Sequence, residues 1–306
     1  MDSALLSNYT TFGLGGPCRT LLDCQTPQQL ETIIQKLVSR KENFILIGGG
    51  SNLVVSDKGV PLAVIRYLSP RPLIEKEKTD LIVSGSTLLD HAVAFALENS
   101  LEGLNYASGI PGTIGGAIVG NAGAFGKQVG DYLKSVCVMT KNGIKKEITP
   151  VELEFTYRHS NLKETGDIVV WARFGLSTGD QNKLRQERDE ILKIRREKHP
   201  NLETHPCAGS FFRNVEPTSK AQRRQAAGFF LEQSGVKSFR VGGACIFEKH
   251  ANIIVKSNGC RSQDVYDLHL KMAKAVKEKF GIDLVREVRF VGQFQGVSSE
   301  TKEIIW

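Results

Sequence analysis

Two glycine-rich segments carry the residue types and spacing best suited to chemistry by the backbone itself. The first is Gly48-Gly49-Gly50-Ser51-Asn52, directly after the apolar run Phe44–Ile47. The second runs from Ser108 through Gly109, Pro111, Gly112, Thr113, Gly115, Gly116 and Ala117 to Asn121 and Gly123. Nine of the chain's 30 glycines fall in the 28 residues from Gly103 to Gly130, where about two would be usual. Consecutive glycines let amide N–H groups converge on an anion, and their missing side chains admit a ligand close to the chain. A dinucleotide asks for both, because it has a pyrophosphate to bind and flat rings to slot between backbones. Two familiar templates fail. A G-x-G-x-x-G fingerprint starting at Gly48 meets Leu53 at its third glycine, and one starting at Gly13 meets Cys18. A phosphate loop ending at Gly126-Lys127 continues with Gln128 and has Asn121 in its first glycine position. The spacing points to a nucleotide cradle of another fold, with tight turns as the simpler alternative.

Side-chain chemistry of other kinds finds little support. The six cysteines, at 18, 24, 137, 207, 245 and 260, show no CxxC and no metal-finger spacing. They read as thiols of a reducing compartment, and no metal is expected. Net charge is +7, which favours anionic partners but forms no nucleic-acid module. The densest basic run, Lys183–Lys198, interleaves seven basic with four acidic residues and reads as a solvated helix face. No apolar run is long enough for a membrane helix, and Met1–Leu6 lacks the basic, then apolar, pattern of a secretion signal.

The elements that must hold these loops are short and mixed. Leu30, Ile33, Ile34, Leu37 and Val38 predict a helix over Pro27–Lys41. Strands are expected at 43–47, 62–67, 81–84 and 168–176, with a helix over Leu88–Asn99. Val136–Thr140 and Lys145–Ile148 flank Asn142-Gly143, which suits a hairpin with a type I′ turn. A polar helix over Gln181–Lys198 leads to a second unit, so the boundary is placed near residue 180. That unit reads as a strand over Gly209–Asn214, helices over Lys220–Gln233 and Ser262–Phe280, and a last strand near Leu284–Val291. Such a mixture predicts an α+β fold.

Seven motifs in order then make the sequence resemble one family: Asn8–Gly13, Gly48–Leu53, Ser108–Gly116, Asn121–Gly126, Tyr157-Arg158-His159-Ser160, Gly209-Ser210-Phe211-Phe212-Arg213-Asn214 and Lys249–Asn252. It is similar to the UDP-N-acetylenolpyruvoylglucosamine reductases over roughly residues 8 to 292. The resemblance implies a two-part FAD-binding domain of the vanillyl-alcohol-oxidase (PCMH) type over 1–180, split near residue 67. A smaller α+β substrate-binding domain follows over 181–306, its last strand free to return to the FAD domain. Arg158 and Ser210 are 52 positions apart, which resembles the family's shorter form. The implied reaction is NADPH-dependent, FAD-mediated reduction of an enolpyruvyl sugar nucleotide to UDP-N-acetylmuramate, a peptidoglycan precursor.

By the same resemblance, Gly48, Gly49, Gly50, Ser51 and Asn52 would hold the FAD pyrophosphate, and Ser108–Ala117 with Asn121 and Gly123 would line the cofactor, bound non-covalently. Arg158 would clamp the substrate carboxylate, Ser210 would donate a proton, and Glu287 would polarise the intermediate. Tyr157, Lys198, Asn214 and His250 are the substrate-binding candidates. Departures from the family pattern stand at Ser238, Ile246-Phe247, Lys256 and Arg286. The enzyme is expected to be a cytoplasmic monomer acting on a small molecule, without nucleic acid or membrane insertion. Another FAD-dependent oxidase or dehydrogenase on the same fold is the alternative. It is weakened by the lack of any His or Cys between Leu101 and Val136 to anchor flavin covalently.

Overall fold

A computed structural model describes residues 4–217 and 224–296 of the chain. Among them, β1 (Cys18–Cys24), β2 (Phe44–Ile47), β3 (Leu53–Val55) and β4 (Val60–Tyr67) come first. β4 lies between β1 and β2 in an all-parallel sheet, while β3 stands outside it. α1 (Pro27–Ser39) makes the crossover from β1 to β2. Thr26 starts it with a capping box closed by Gln29, and Pro27 opens its first turn, where no N–H is needed. Leu30, Ile34 and Leu37 are its buried stripe and pack with Ala63, Ile65 and Tyr67 of β4.

The second sheet is antiparallel, with β5 (Ile74–Glu77), β6 (Asp80–Ser84), β7 (Leu133–Met139), β8 (Lys145–Ile148) and β9 (Ile168–Gly175) in the order β8-β7-β9-β6-β5. Everything between β6 and β7 is an excursion from this sheet. It contains α2 (Leu89–Glu98), α3 (Ile114–Val119) and the long glycine-rich stretch. The β7–β8 hairpin forms as expected, but not with a type I′ turn. Only Gly143 of the Asn142-Gly143 pair has positive φ (77°), and the loop closes with the Gly143 N–H on the Thr140 carbonyl and the Thr140 N–H on Ile144. A type I′ turn needs positive φ at both central residues, and the longer loop relieves Asn142 of it.

α4 (Leu162–Thr165) precedes β9, and α5 (Gln181–Lys198) follows it, capped by Asp180 and burying Leu184 and Ile191. The helix is solvated on most sides, as its charge pattern predicts, but one side is clamped. Arg188 makes two bonds to Asp90, at 2.8 and 2.7 Å, and the same carboxylate accepts the Gly109 N–H at 2.7 Å. Burial pushes the Asp90 carboxyl up, but Arg188 and the Gly109 amide outweigh it and hold it below the usual carboxylate range. Because its folded-state pKa is depressed, its contribution is present above the unfolded value and lost as pH falls through the folded one. Asp90→Asn is expected to destabilise by about 1–2 kcal/mol at neutral pH, discounted for partial exposure. In thermal denaturation, the gap to wild type should close below about pH 4.

The third sheet has the order β10-β13-β12-β11, from β10 (Cys207–Ser210), β11 (Arg240–Val241), β12 (Ala244–Phe247) and β13 (His250–Lys256), all antiparallel. α6 (Ala227–Gln233) and α7 (Ser262–Phe280) pack on it, and Val265, Leu268, Met272 and Val276 of α7 are buried as a stripe. The strand expected over Gly209–Asn214 instead ends at Ser210, after a bulge at Gly209 (φ 77°). The helix expected from Lys220 begins at Ala227, and Lys220 itself lies outside the described residues. The last strand is only β14 (Arg289–Val291), and it pairs parallel with β3. Phe12, Leu14 and Val54 enter the core of this third layer, so the region before residue 60 and the C-terminal region share apolar packing.

Candidate active site

The two glycine segments meet edge to edge. A Cβ at Gly48 would lie 2.5 Å from the Thr113 hydroxyl, and one at Gly112 (φ 123°) 2.9 Å from the Ser51 hydroxyl. Ser51 Oγ donates to the Pro111 carbonyl at 3.1 Å, closing the contact. At Gly50 (φ 62°) a Cβ would collide with the Tyr9 carbonyl. The N–H groups of Gly49, Gly50, Ser51 and Asn52 reach no acceptor among the described residues. Gly50 is buried and Gly49 and Ser51 are half-buried, and buried backbone donors are nearly always satisfied. Four in a row, opening on a narrow glycine cleft, fit the pyrophosphate of a dinucleotide.

The second segment uses most of its polar groups within the protein. Ser108 Oγ donates to Asn105, Gly109 N–H to Asp90, Gly115 N–H to Gly85, Gly116 N–H to Thr113 Oγ1 and Ala117 N–H to the Thr113 carbonyl. Gly123 packs against Lys127 and Gln128 of a short neighbouring strand. Asn121 is buried, accepts the Gly130 N–H at 3.0 Å and donates to the Thr156 carbonyl at 2.9 Å. That last bond ties the glycine stretch to the Tyr157–Ser160 turn. Ser160, also buried, adds a 2.9 Å bond to the Val119 carbonyl.

The turn so held is a tight one. Thr156 and His159 exchange backbone bonds at 3.1 and 3.2 Å, leaving Tyr157 and Arg158 as its central residues. Arg158 has φ 58°, at the central position where turns with positive φ favour glycine. The Arg158 Nε lies 3.1 Å from a Glu287 carboxylate oxygen, in ion-pair contact but not aligned as a hydrogen bond; both side chains are 23% exposed. Burial pushes the Glu287 carboxyl above the usual glutamate range, against the pull of Arg158, Lys163 and Arg213. Lys163, on α4, donates to the Arg158 carbonyl at 2.7 Å.

Ser210 reaches the same region through the backbone. Its neighbour Phe211 accepts the Glu287 N–H at 2.8 Å, and Asn52 Nδ2 donates to the Glu287 carbonyl at 3.2 Å. The Ser210 hydroxyl has no partner among the described residues, and a Cβ at Gly209 beside it would meet nothing within 4 Å. Asn252 fixes the segment, accepting the Phe212 N–H at 2.9 Å and donating to its carbonyl at 2.8 Å. The structure therefore brings Arg158, Glu287, Asn52 and the Ser210 segment together from four separate stretches of chain.

The substrate-binding candidates divide into two groups. Tyr157 accepts the Asn214 N–H at 3.3 Å, and its ring lies under the Arg224 guanidinium at 3.8 Å. Asn214 Oδ1 accepts the Ala227 N–H at 3.2 Å, at the start of α6. Lys198 is exposed at the end of α5, near His199 and His250, whose rings lie 5.6 Å apart and tilted by 37°. Burial, reinforced by Arg195, holds His199 down to about 4, and burial also lowers His250. The sequence assigned no role to His199, Lys163 or Arg195, nor to Arg213 and Asn252, which it quoted only as members of motifs. Arg195 packs along Gly109, with its Nε buried and without a hydrogen-bond partner among the described residues. Arg213 Nε is in the same state. Among the departures, Lys256 donates to the Gly13 carbonyl at 2.8 Å and Arg286 stacks 4.8 Å over Phe290, so both have structural partners.

Residues 19–148 match the FAD binding domain family, and residues 199–291 match the C-terminal domain of UDP-N-acetylenolpyruvoylglucosamine reductase. The UDP-N-acetylenolpyruvoylglucosamine reductase of Caldanaerobacter subterraneus subsp. tengcongensis is 35% identical over 94% of this chain and 92% of its own length. That of Caldicellulosiruptor bescii is 36% identical over 95% of this chain and 90% of its own. The crystal structure of UDP-N-acetylenolpyruvylglucosamine reductase from Thermus caldophilus superposes with a TM-score of 0.77 at 30% identity, covering 95% of this chain and 98% of that one. With both domain families and nearly full-length relatives in agreement, the chain belongs to the UDP-N-acetylenolpyruvoylglucosamine reductase family, FAD-dependent oxidoreductases with the α+β architecture expected from its short mixed elements.

Proposed function

We propose that this chain reduces the enolpyruvyl double bond of UDP-N-acetyl-3-O-(1-carboxyvinyl)-glucosamine, giving UDP-N-acetylmuramate for peptidoglycan synthesis, with NADPH as the reductant. The observation that carries this reading is the Arg158–Glu287 pair at 3.1 Å, reached from the free N–H groups of Gly49–Asn52 through Asn52 and the Glu287 backbone. Bound non-covalently, FAD would supply the transfer of hydride from NADPH to carbon 3 of the enolpyruvyl group. Gly48–Asn52 would grip its pyrophosphate, and Pro111, Gly112 and Thr113 would form the facing edge.

The chain's own groups do the rest. Hydride addition leaves charge on carbon 2 and its carboxylate. The Arg158 guanidinium holds that carboxylate with two parallel donors. Glu287, kept from ionising freely by its burial, polarises the same centre. The Ser210 hydroxyl gives its proton to carbon 2, which as an enolate carbon is basic enough to take it, and the serine is reprotonated from the open side at Gly209. Tyr157, Asn214, Lys198 and His250 would hold the sugar nucleotide.

In the same reading the FAD domain occupies 1–180, split near residue 67, and the substrate domain 181–306. β14 returns to β3. A cytoplasmic monomer suffices, since one chain supplies every group, and no helix of the described residues is long and apolar enough to cross a membrane. The test is a visible absorption spectrum followed by an anaerobic NADPH titration. The protein should be yellow, bleach with NADPH, and regain its colour when the enolpyruvyl sugar nucleotide is added. A colourless protein, or bleached protein that the substrate does not reoxidise, would sink the reading.

A further inference from the structure

Arg158 depends on a group outside the motif that holds it. Its positive φ is unfavourable for a residue with a side chain by about 1–2 kcal/mol, so something must hold its backbone. The Lys163 ammonium does so directly, donating to the Arg158 carbonyl at 2.7 Å from the first turns after Ser160. Lys163 is itself charge-coupled to the partner of the Arg158 side chain, Glu287. One cation thus bears on both halves of the pair, the arginine through its backbone and the glutamate through its charge.

We propose that Lys163 is a positioning residue for the reduction, holding Arg158 in its left-handed turn so that the guanidinium meets both Glu287 and the substrate carboxylate. The proposal rests on the roles given above to Arg158 and Glu287. The groups facing Lys163 are Arg158 from the turn, Glu164 on α4 itself, Arg213 after β10, and Glu287 and Arg289 at the start of β14. Burial, with Arg213 and Arg289 adding to it, lowers the Lys163 amine to about 8, while Glu287 and Glu164 pull it back up. Above that pH the neutral amine is a weaker donor to the Arg158 carbonyl and no longer balances Glu287. Stability moves the other way. Between about 8 and the ordinary 10.5, the unfolded lysine holds a proton that the folded one has released, so the folded state gains as pH rises.

The test uses the FAD-loaded enzyme and the variants Lys163→Met and Lys163→Arg, following reoxidation by the enolpyruvyl sugar nucleotide on either side of pH 8. Wild type should lose rate as pH rises through about 8. Lys163→Met should be about 10–100-fold slower below that pH and lack that limb. Lys163→Arg, which stays charged, should keep more of the rate and also lack it. In thermal denaturation, wild type should gain on Lys163→Met as pH climbs from 8 towards 10.5. If either folded variant retains the wild-type rate together with the wild-type limb, the proposal is overturned. If Lys163→Met does not fold, the pH limb of Lys163→Arg decides. A wild-type enzyme that never reduces the sugar nucleotide would instead refute the proposed function and not Lys163 alone.

Discussion

Ser210→Ala is expected to leave reduction by NADPH near its wild-type rate and to slow reoxidation by the enolpyruvyl sugar nucleotide about 10²–10⁴-fold. The selectivity follows from where the proton is needed. Accepting a hydride from NADPH requires no proton at the substrate's carbon 2, whereas completing the reduction does. Three features qualify Ser210 for that step. Its hydroxyl is not committed to any described partner, so its proton is free to leave. The Gly209 bulge turns the end of β10 (φ 77°) beside open space. The next carbonyl, of Phe211, holds the Glu287 N–H at 2.8 Å, so one piece of backbone sets both the donor and the polarising carboxylate. Stopped-flow absorbance separates the two halves. Equal slowing of both would show that Ser210 shapes the site without donating the proton. Ser210→Cys should recover part of the rate, because a thiol near its ordinary 8.5 is still an acid towards an enolate carbon.

How much of this was readable beforehand depends on the range over which each feature is determined. α5 and α7 were legible in place and extent, roughly Gln181–Lys198 and Ser262–Phe280, because a polar charge pattern and a repeating apolar stripe are local signals. The glycine segments were legible for a similar reason, since a run of glycines is visible without knowing its neighbours. What the run does was not. Ser108 and Asn121 look alike as cofactor ligands in the sequence, yet Ser108 bonds Asn105, and Asn121 braces the Thr156 carbonyl behind Arg158. The strand expected over Gly209–Asn214 was too long because Phe211 and Phe212 are apolar for a different reason. They face the core while their backbone is held by Asn252 and Glu287, from distant parts of the chain. Arg158, Ser210 and Glu287 carry no physical signal of their own and were singled out only through the resemblance. Lys163, three residues past the Tyr157–Ser160 motif on a four-residue polar helix, offered no signal at all. Its partners Arg213, Glu287 and Arg289 arrive from β10 and β14, and only the return of β14 to β3 brings them near.

Arg158→Gly should separate function from stability more sharply than any other substitution here. Turnover is expected to fall about 10³-fold or more, because neither water nor a neighbouring lysine reproduces the paired donors of a guanidinium on a carboxylate whose charge is growing. The melting temperature should nevertheless stay within about 3 °C of wild type. Two effects of opposite sign produce that result. Removing the Glu287 ion pair, whose side chains are each 23% exposed, loses about 1 kcal/mol. Placing glycine at φ 58° removes a backbone penalty of about the same size. Arg158→Ala is the matched control, since it loses the guanidinium but keeps the strained backbone. It should be as slow as Arg158→Gly and less stable by about 1–2 kcal/mol. Calorimetry on the three proteins measures the strain, and steady-state turnover measures the clamp. If Arg158→Gly turned over within a few-fold of wild type, the carboxylate would have to be gripped elsewhere, and Arg213, with its buried Nε in the same charged cluster, would be the next residue to substitute.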